Sequence, residues 1–424
     1  MMAAILFFSF IILIFLGVPV AFSLGLSSLF YLILADIPLS IIPQKMFGGL
    51  NSFVLLCIPG FILAGNLMNA GGITDRIIQF ANNCFGHIRG GLGLANVGSS
   101  MGFAGISGTA LADTASIGAI LIPAMKKEGY GAGFSAAVTA SSSTVGPIIP
   151  PSLPMIIVGT LASVSIGDLF LAGALPGILL GLGLMIPTYI ISVKRNYPKG
   201  ERKSLKEIWK SFTGAFWALF MTVIIMYGIL GGYFTPTEAS VIAVLYAFVI
   251  GIFVYKELPI KKIPEIMLSS MTGTASIMLL VGFANLFGWI MVSEQIPQMV
   301  ADAILGISSN SIVVILLINL LLLFVGTFME TIAALVILFP VLLPVAASIG
   351  MDPVQFGVMM VLNLVIGLVT PPVGVCLFVA SQIGKISIGK TAKELLPFLG
   401  VSLAVLMLVA FVPQISLFLP SLFE

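Results

Sequence analysis

Four short runs place glycines, hydroxyls, prolines and single acids inside otherwise apolar sequence. The first, residues 99–114, holds Ser107, Gly108, Thr109 and Asp113 among further glycines and serines. Glycines free a backbone to turn, and hydroxyls with bared carbonyls are the hard oxygen ligands an alkali cation takes. Half-helix N-termini beside such groups favour a carboxylate. The plainer alternative is that small residues let helices approach closely. The second run, residues 140–152, carries Ser141, Ser143, Thr144 and Gly146, with Pro147, Pro150 and Pro151. Three prolines remove backbone donors, so a helix must break there and leave carbonyls without partners. In lipid that is costly, and a bound cation with a water-lined cavity would offset it; a kink capped by Ser and Thr is the alternative. The third run is Gly326-Thr327-Phe328-Met329-Glu330-Thr331, and the fourth, residues 363–374, contains Gly367, Thr370, Pro371 and Pro372. Glu330 sits between apolar stretches, where an acid is a functional candidate by default. It could hold a cation, carry a proton, or cap the helix that follows.

The elements that must position these runs are membrane spans. Of 424 residues, 59% are hydrophobic and 8% charged, against roughly a quarter charged in a soluble domain. Apolar stretches of the roughly 20 residues a span needs recur from end to end, which predicts an all-α polytopic protein of about ten crossings. No Lys or Arg precedes Lys45, so the N-terminus lacks the basic region of a signal peptide and is expected to be a retained span starting outside the cytoplasm. Cys57, Cys84 and Cys376 lie in or beside apolar segments without metal spacing and read as packed side chains.

Charge placement gives orientation. Seven of the 18 basic residues, Lys194, Arg195, Lys199, Arg202, Lys203, Lys206 and Lys210, crowd one polar stretch, which the positive-inside rule puts in the cytoplasm. Counting outward, Lys126, Lys127, the lysines of residues 256–265, and Lys385, Lys390 and Lys393 also come out inside. The count closes only if residues 92–125 and 312–347 each enter and leave on one face, the first returning inside and the second outside. Their small-residue centres fit re-entrant helical hairpins. The halves also share a pattern at a spacing of about 220 residues: Gly108-Thr109 with Gly326-Thr327, Pro150-Pro151 with Pro371-Pro372, and Ser165-Ile166-Gly167 with Ser387-Ile388-Gly389. Opposite entry faces make this an inverted repeat, the mark of a secondary transporter with its solute near the midplane.

Three pattern matches fail on context. Residues 384–391 fit GxxxxGK[ST], but a phosphate loop needs a preceding strand in a soluble α/β domain. Residues 105–108 fit the GxSG of an intramembrane serine protease, yet the single histidine, His87, lies in a loop before the hairpin, where it does not supply the facing base such a site requires. No HExxH or EF-hand pattern exists. No catalytic residue, resident cofactor or nucleic-acid partner is expected, and the chain does not read as an enzyme.

The runs at residues 105–113, 141–151, 326–331, 352–357 and 367–374 resemble the large membrane subunit of the TRAP transporters, the tripartite ATP-independent periplasmic family, over nearly the whole chain. The resemblance implies an elevator mechanism, sodium coupling, a small four-helix membrane subunit, a periplasmic substrate-binding protein, and an organic-acid solute such as a C4-dicarboxylate or sialic acid, in a bacterial inner membrane. It implies one sodium site between Ser107-Gly108-Thr109 and the break at residues 143–150 (Ser143, Thr144, Gly146 and Pro150). A second would lie between residues 326–329 (Gly326, Thr327 and Met329) and Gly367, Thr370 and Pro372. Asp113, Ser141 and Glu330 would face the substrate or support the ions. Because the sequence starts directly at the large subunit, a separate small partner is expected, and residues 38–53 are expected to form interfacial arms. The organisation so read is residues 1–70 as N-terminal scaffold helices and arm, 71–193 as the first repeat, 194–265 as basic linker and scaffold helices, and 266–424 as the second repeat. A stand-alone sodium- or proton-coupled carboxylate carrier of the same superfamily, working without a binding protein, is the alternative.

Overall fold

The computed structural model describes residues 2–308 and 310–423, with the side chains of residues 2–4, 106, 107, 305 and 307 outside the description. Among the described residues the chain is helical throughout, with no strand. It opens with α1 (Met2–Phe15), α2 (Val20–Leu34), α3 (Ile41–Leu50) and α4 (Cys57–Ala70). The short α5 (Ile73–Phe85) leads to the pair α6 (Gly91–Ser107) and α7 (Ala110–Lys127), then α8 (Ala132–Ser143), α9 (Leu153–Ala162) and α10 (Ile166–Lys194). Three long helices follow: α11 (Leu205–Leu230), α12 (Pro236–Val249, prolonged by a π-helical turn) and α13 (Ile263–Ser293). The last part is α14 (Ile296–Ile307), the pair α15 (Ser311–Gly326) and α16 (Thr331–Ser348), then α17 (Pro353–Gly367), α18 (Val375–Gly384), α19 (Ile388–Phe411) and the short α20 (Pro413–Leu417).

The order from α5 to α10 recurs from α14 to α19, and lengths are kept: α7 and α16 each have 18 residues, α9 and α18 each have 10. The expected breaks fall where the prolines stand. Residues 144–152 separate α8 from α9, and residues 368–374 separate α17 from α18; both Pro-Pro bonds, Pro150-Pro151 and Pro371-Pro372, are cis. Local chemistry sets the starts of many helices. Ser204 with Glu207 and Thr235 with Glu238 form capping boxes on α11 and α12, and Asp352 accepts the Val354 and Gln355 amides at the head of α17. Each satisfies donors that a helix start leaves orphaned.

Two helices are buried on every side. All of α8 from Gly133 to Ser143, and all of α17 from Gln355 to Gly367, lie in the interior. A helix with no exposed stripe is the centre of a packed body, so the two broken helices form the core around which α6, α7, α10, α15, α16, α18 and α19 pack. A second group stands beside it, in which α13 runs against α2, α3 and α4, and α4 lies along α12.

Six helices among the described residues are long and apolar enough to cross a bilayer, seven if α3 and the segment holding α4, bent by 70°, make one span. The expectation of about ten crossings leans on shorter helices, α1 and α2 among them, whose 14 and 15 residues fall short of a straight span. On α11, Trp209 and Tyr227 are both exposed. Their separation is about 27 Å at 1.5 Å per residue, close to the hydrocarbon thickness that interfacial aromatics bracket. The bend after α3, which buries none of its residues, is the geometry an interfacial arm would have.

Candidate functional site

The two paired helices bring their tips to one place. At the first tip Gly108 adopts φ +61°, a conformation that suits a residue without Cβ, and Thr109 then caps α7, its hydroxyl accepting the Ala112 amide at 3.4 Å. At the second tip Thr327 ends α15, and Glu330 caps α16 by accepting the Ile332 and Ala333 amides at 2.8 and 3.2 Å. Thr109, Pro147, Glu330, Thr331, Leu368 and Cys376 line a shared cavity of about 30 Å³. Both tips and both breaks therefore meet. Glu330 lines this cavity and is also exposed beyond it.

The breaks are built to present oxygen. Ser143 and Thr144 donate to the carbonyls of Thr139 and Ser141 at 2.7 and 2.6 Å, which leaves their lone pairs free to accept. Among the described hydrogen bonds none goes to the Thr144, Gly146 or Pro150 carbonyl, nor to those of Gly326 or Thr370. A Cβ on Gly105 would lie 3.1 Å from the Pro150 carbonyl oxygen, so the first tip runs directly under that break. At the second, a Cβ on Gly367 would sit 2.5 Å from the Gly326 backbone; only glycine at both positions permits this approach. The Gly374 amide then closes the break onto the Thr327 carbonyl at 3.2 Å.

Most expected residues thus fall at these two junctions. Gly108, Thr109, Ser143, Thr144, Gly146 and Pro150 surround the first; Gly326, Thr327, Gly367 and Thr370 surround the second, with Met329 in the turn and Pro372 exposed on the break. Ser107 ends α6, and its side chain lies outside the described residues. Ser141 is buried with no partner for its hydroxyl. Asp113 is fully buried one turn into α7, and neither carboxylate oxygen has a hydrogen-bond partner. Ser100 and Ser143 face it closely enough to act on its charge, but their protons go elsewhere: Ser100 donates to Ser142 at 3.0 Å and Ser143 to the Thr139 carbonyl. A charged carboxylate so placed needs a counter-charge, and a neutral one a proton.

Sequence reasoning missed the polar groups that fix the tips. Asn96 of α6 donates to Thr139 at 2.6 Å and accepts from Ser142 at 3.1 Å, both on α8. In the second half, Asn363 of α17 donates to the side chain and carbonyl of Asn319 on α15, at 2.7 and 3.0 Å. An asparagine inside an apolar run is itself the signal that would have found them. Also missed was a cavity of about 180 Å³ that shares Thr109 with the first as a wall and is lined by Asn66, Asn69 and Ser116. Cys376, expected only to pack, lies beside Thr114 and within electrostatic reach of both Asp113 and Glu330. The GxxxxGK[ST] match falls on the turn between α18 and α19, with no strand before it, as expected of a chance fit.

The family model described as the tripartite ATP-independent periplasmic transporter, DctM component, matches residues 7–415. The sialic acid TRAP transporter large permease protein SiaM of Vibrio cholerae is 46% identical, covering 97% of this chain and 96% of that one. The C4-dicarboxylate large permease DctM of Rhodobacter capsulatus is 38% identical over 100% and 99%. The isethionate permease DctMQ of Oleidesulfovibrio alaskensis is 43% identical over 98% of this chain and 66% of that longer one. Among solved structures, the YdaH transporter of Alcanivorax borkumensis superposes with a TM-score of 0.60 at 16% identity, covering 87% of this chain and 86% of that one. MtrF of Neisseria gonorrhoeae does so with 0.63 at 13%, covering 89% and 85%. The last two speak for the fold alone. Together with the paired tips and broken helices, the family match settles the matter: the chain belongs to the large-permease, DctM-component family of the tripartite ATP-independent periplasmic transporters.

Proposed function

We propose that the chain is the membrane-embedded large subunit of a sodium-coupled secondary transporter that imports an organic acid across a bacterial inner membrane. The observation that carries the reading is the meeting of both tips and both breaks at one cavity, with Asp113 buried beside it and Glu330 on its wall. Two sodium ions would take the oxygens at the two junctions: the first among residues 107–109, Ser143, Thr144, Gly146 and Pro150, the second among residues 326–329, Gly367, Thr370 and Pro372. Hydroxyls and carbonyls with open lone pairs suit a hard monovalent cation. The solute carboxylate would sit between them, facing the N-termini of α7 and α16.

A cavity of about 30 Å³ is smaller than the roughly 300–1,000 Å³ of ordinary ligand pockets, so the tips must part for a solute to enter. The adjoining 180 Å³ cavity lies between α4 and α13 on one side and α7 on the other, the side that charge placement assigns to the cytoplasm. This supports an inward-leaning state, in which the body around α8 and α17 moves as an elevator against a scaffold of α1–α4, α12 and α13. The two halves would then be inverted repeats. A small four-helix membrane subunit would brace the scaffold, and a periplasmic binding protein would deliver the solute; relatives named for sialic acid, C4-dicarboxylates and isethionate point to the class of acid.

The test is solute uptake into proteoliposomes holding this chain and its small partner under an inward sodium gradient, with the binding protein added or omitted. Uptake that needs both supports the tripartite reading. Uptake indifferent to the binding protein selects a stand-alone carrier, and uptake indifferent to sodium removes both ion sites.

A further inference from the structure

At one rim of the molecule the end of α10 and the start of α19 part to form a groove of about 380 Å³, lined by Ile191, Lys194, Arg195, Lys393, Glu394 and Pro397. Its charges are not self-contained. Arg195 and Glu394 bridge the two helices at 2.8 Å, and Arg195 also donates to the Tyr197 hydroxyl at 3.4 Å. That pair is committed. Lys194 and Lys393 are exposed on either side of it, and neither forms an ion pair among the described residues, so the groove keeps two uncompensated positive charges.

Directly below the charges the surface turns apolar. On α10, Ile186, Ile190 and Val193 are exposed at helical spacing, and on α19 Leu396 is exposed beside Pro397 and Gly400. Deeper still the helices close up, since a Cβ on Gly183 would come within 2.8 Å of Val401. The shape is a cationic mouth above an apolar track that pinches shut within the membrane.

We propose that this groove is a binding site for an anionic phospholipid, its phosphate held between Lys194 and Lys393 and one acyl chain lying along Ile186 and Ile190. Basic pockets between membrane helices at the headgroup level recognise such lipids, and each lysine near the surface is worth about 1 kcal/mol toward them, so the pair gives roughly a tenfold preference or more. The basic stretch at residues 199–210 offers charge without this track: Lys206 and Lys210 sit on α11, away from any groove between α10 and α19. The proposal requires the membrane but not the sodium sites, the solute or the orientation.

The experiment is native mass spectrometry of the full chain released from nanodiscs of phosphatidylcholine containing a minority of phosphatidylglycerol, counting retained lipid. The wild-type chain is expected to retain phosphatidylglycerol, and the Lys194→Gln/Lys393→Gln variant to lose about tenfold of that retention. Lys206→Gln/Lys210→Gln and the charge-keeping Lys194→Arg/Lys393→Arg are expected to retain it. A wild-type chain with no preference for the anionic lipid overturns the site whatever the variants do. Equal retention by the Lys194→Gln/Lys393→Gln variant overturns the residues named. Displacement of the lipid by inorganic phosphate would assign the groove to a free anion instead.

Discussion

The two halves share an order of helices but treat their acids differently. In the first, the hydroxyl of Thr109 caps α7, and Asp113, one turn further on, is left buried with both oxygens unpartnered. In the second, the carboxylate of Glu330 is itself the cap, and Ala334 occupies the position one turn inside α16. A carboxylate that satisfies orphan amides is already compensated; one that satisfies nothing must find charge or a proton elsewhere. Moving the acid by one turn decides whether its oxygens are taken up by the helix start or left unpartnered. The breaks differ in the same sense: Pro150 and Pro151 are buried, while Pro371 and Pro372 are exposed.

The sharpest way to break that contrast is to neutralise each acid without changing its shape. Asp113→Asn is expected to lower sodium-driven uptake by at least about thirtyfold, the lower end of the roughly 2–5 kcal/mol that loss of a buried charge partner costs. Glu330→Gln keeps an acceptor for the Ile332 amide and is expected to lose less than about threefold. Both are read as initial rates at matched amounts of folded protein. Equal losses would mean that Glu330 also holds an ion or the solute, and a harmless Asp113→Asn would sink the distinction altogether.

A second contrast concerns the asparagines that pin each tip to its broken helix, and here the effect is on stability. Removing Asn96 leaves fallbacks, because Thr139 still donates to the Ser135 carbonyl and Ser142 to that of Thr139. Removing the Asn319 side chain strands one amide hydrogen of Asn363, whose own oxygen already lacks a partner. Asn319→Ala should therefore cost about 1–3 kcal/mol and Asn96→Ala about 1, seen as a larger fall in melting midpoint in detergent for the former. Asn319→Leu with Asn363→Leu should recover most of the loss, since removing both partners leaves nothing unsatisfied; no recovery would show that the pair does more than satisfy itself.

These residues also mark how far the sequence could be read. Proline and glycine spacing located both breaks and both tips, because those residues act on their own backbone and their effect is local. The capping role of Glu330 was one of three open readings, and its choice depends on a turn two residues longer than that at Gly108-Thr109. Pairings such as Asn96 with Ser142, or the cavity shared by Asn66 and Ser116, join positions dozens of residues apart. Nothing local encodes them; they follow from which faces of α4, α6, α7 and α8 meet. Hydropathy counts spans less directly than proline and glycine place breaks, for a related reason. Hydropathy cannot separate a short span from a buried half-helix when α17 is as apolar as a span and lies wholly inside the protein.

The smallest expected effect lies where each half is tied to the helices beside it. In the first turn of α5, Arg76 grips Glu257 with two hydrogen bonds of 3.0 and 2.8 Å and stacks 3.9 Å from the Tyr255 ring. Ahead of α14, the tie is instead Tyr31 donating to Glu294 at 2.6 Å. The Arg76 guanidinium holds the Glu257 carboxyl below the usual carboxylate range. Its contribution is therefore present above the unfolded value of about 4.3 and lost as pH falls through the lowered one. Because Glu257 is about half exposed and solvent screens the pair, Glu257→Gln should cost under about 1 kcal/mol at neutral pH. That difference in melting midpoint between wild type and variant should close as the pH drops below 4.3 toward the lowered value. A gap that persists unchanged in acid would assign the tie to Arg76 stacking on Tyr255, and the ionic link would then not be what distinguishes the first half.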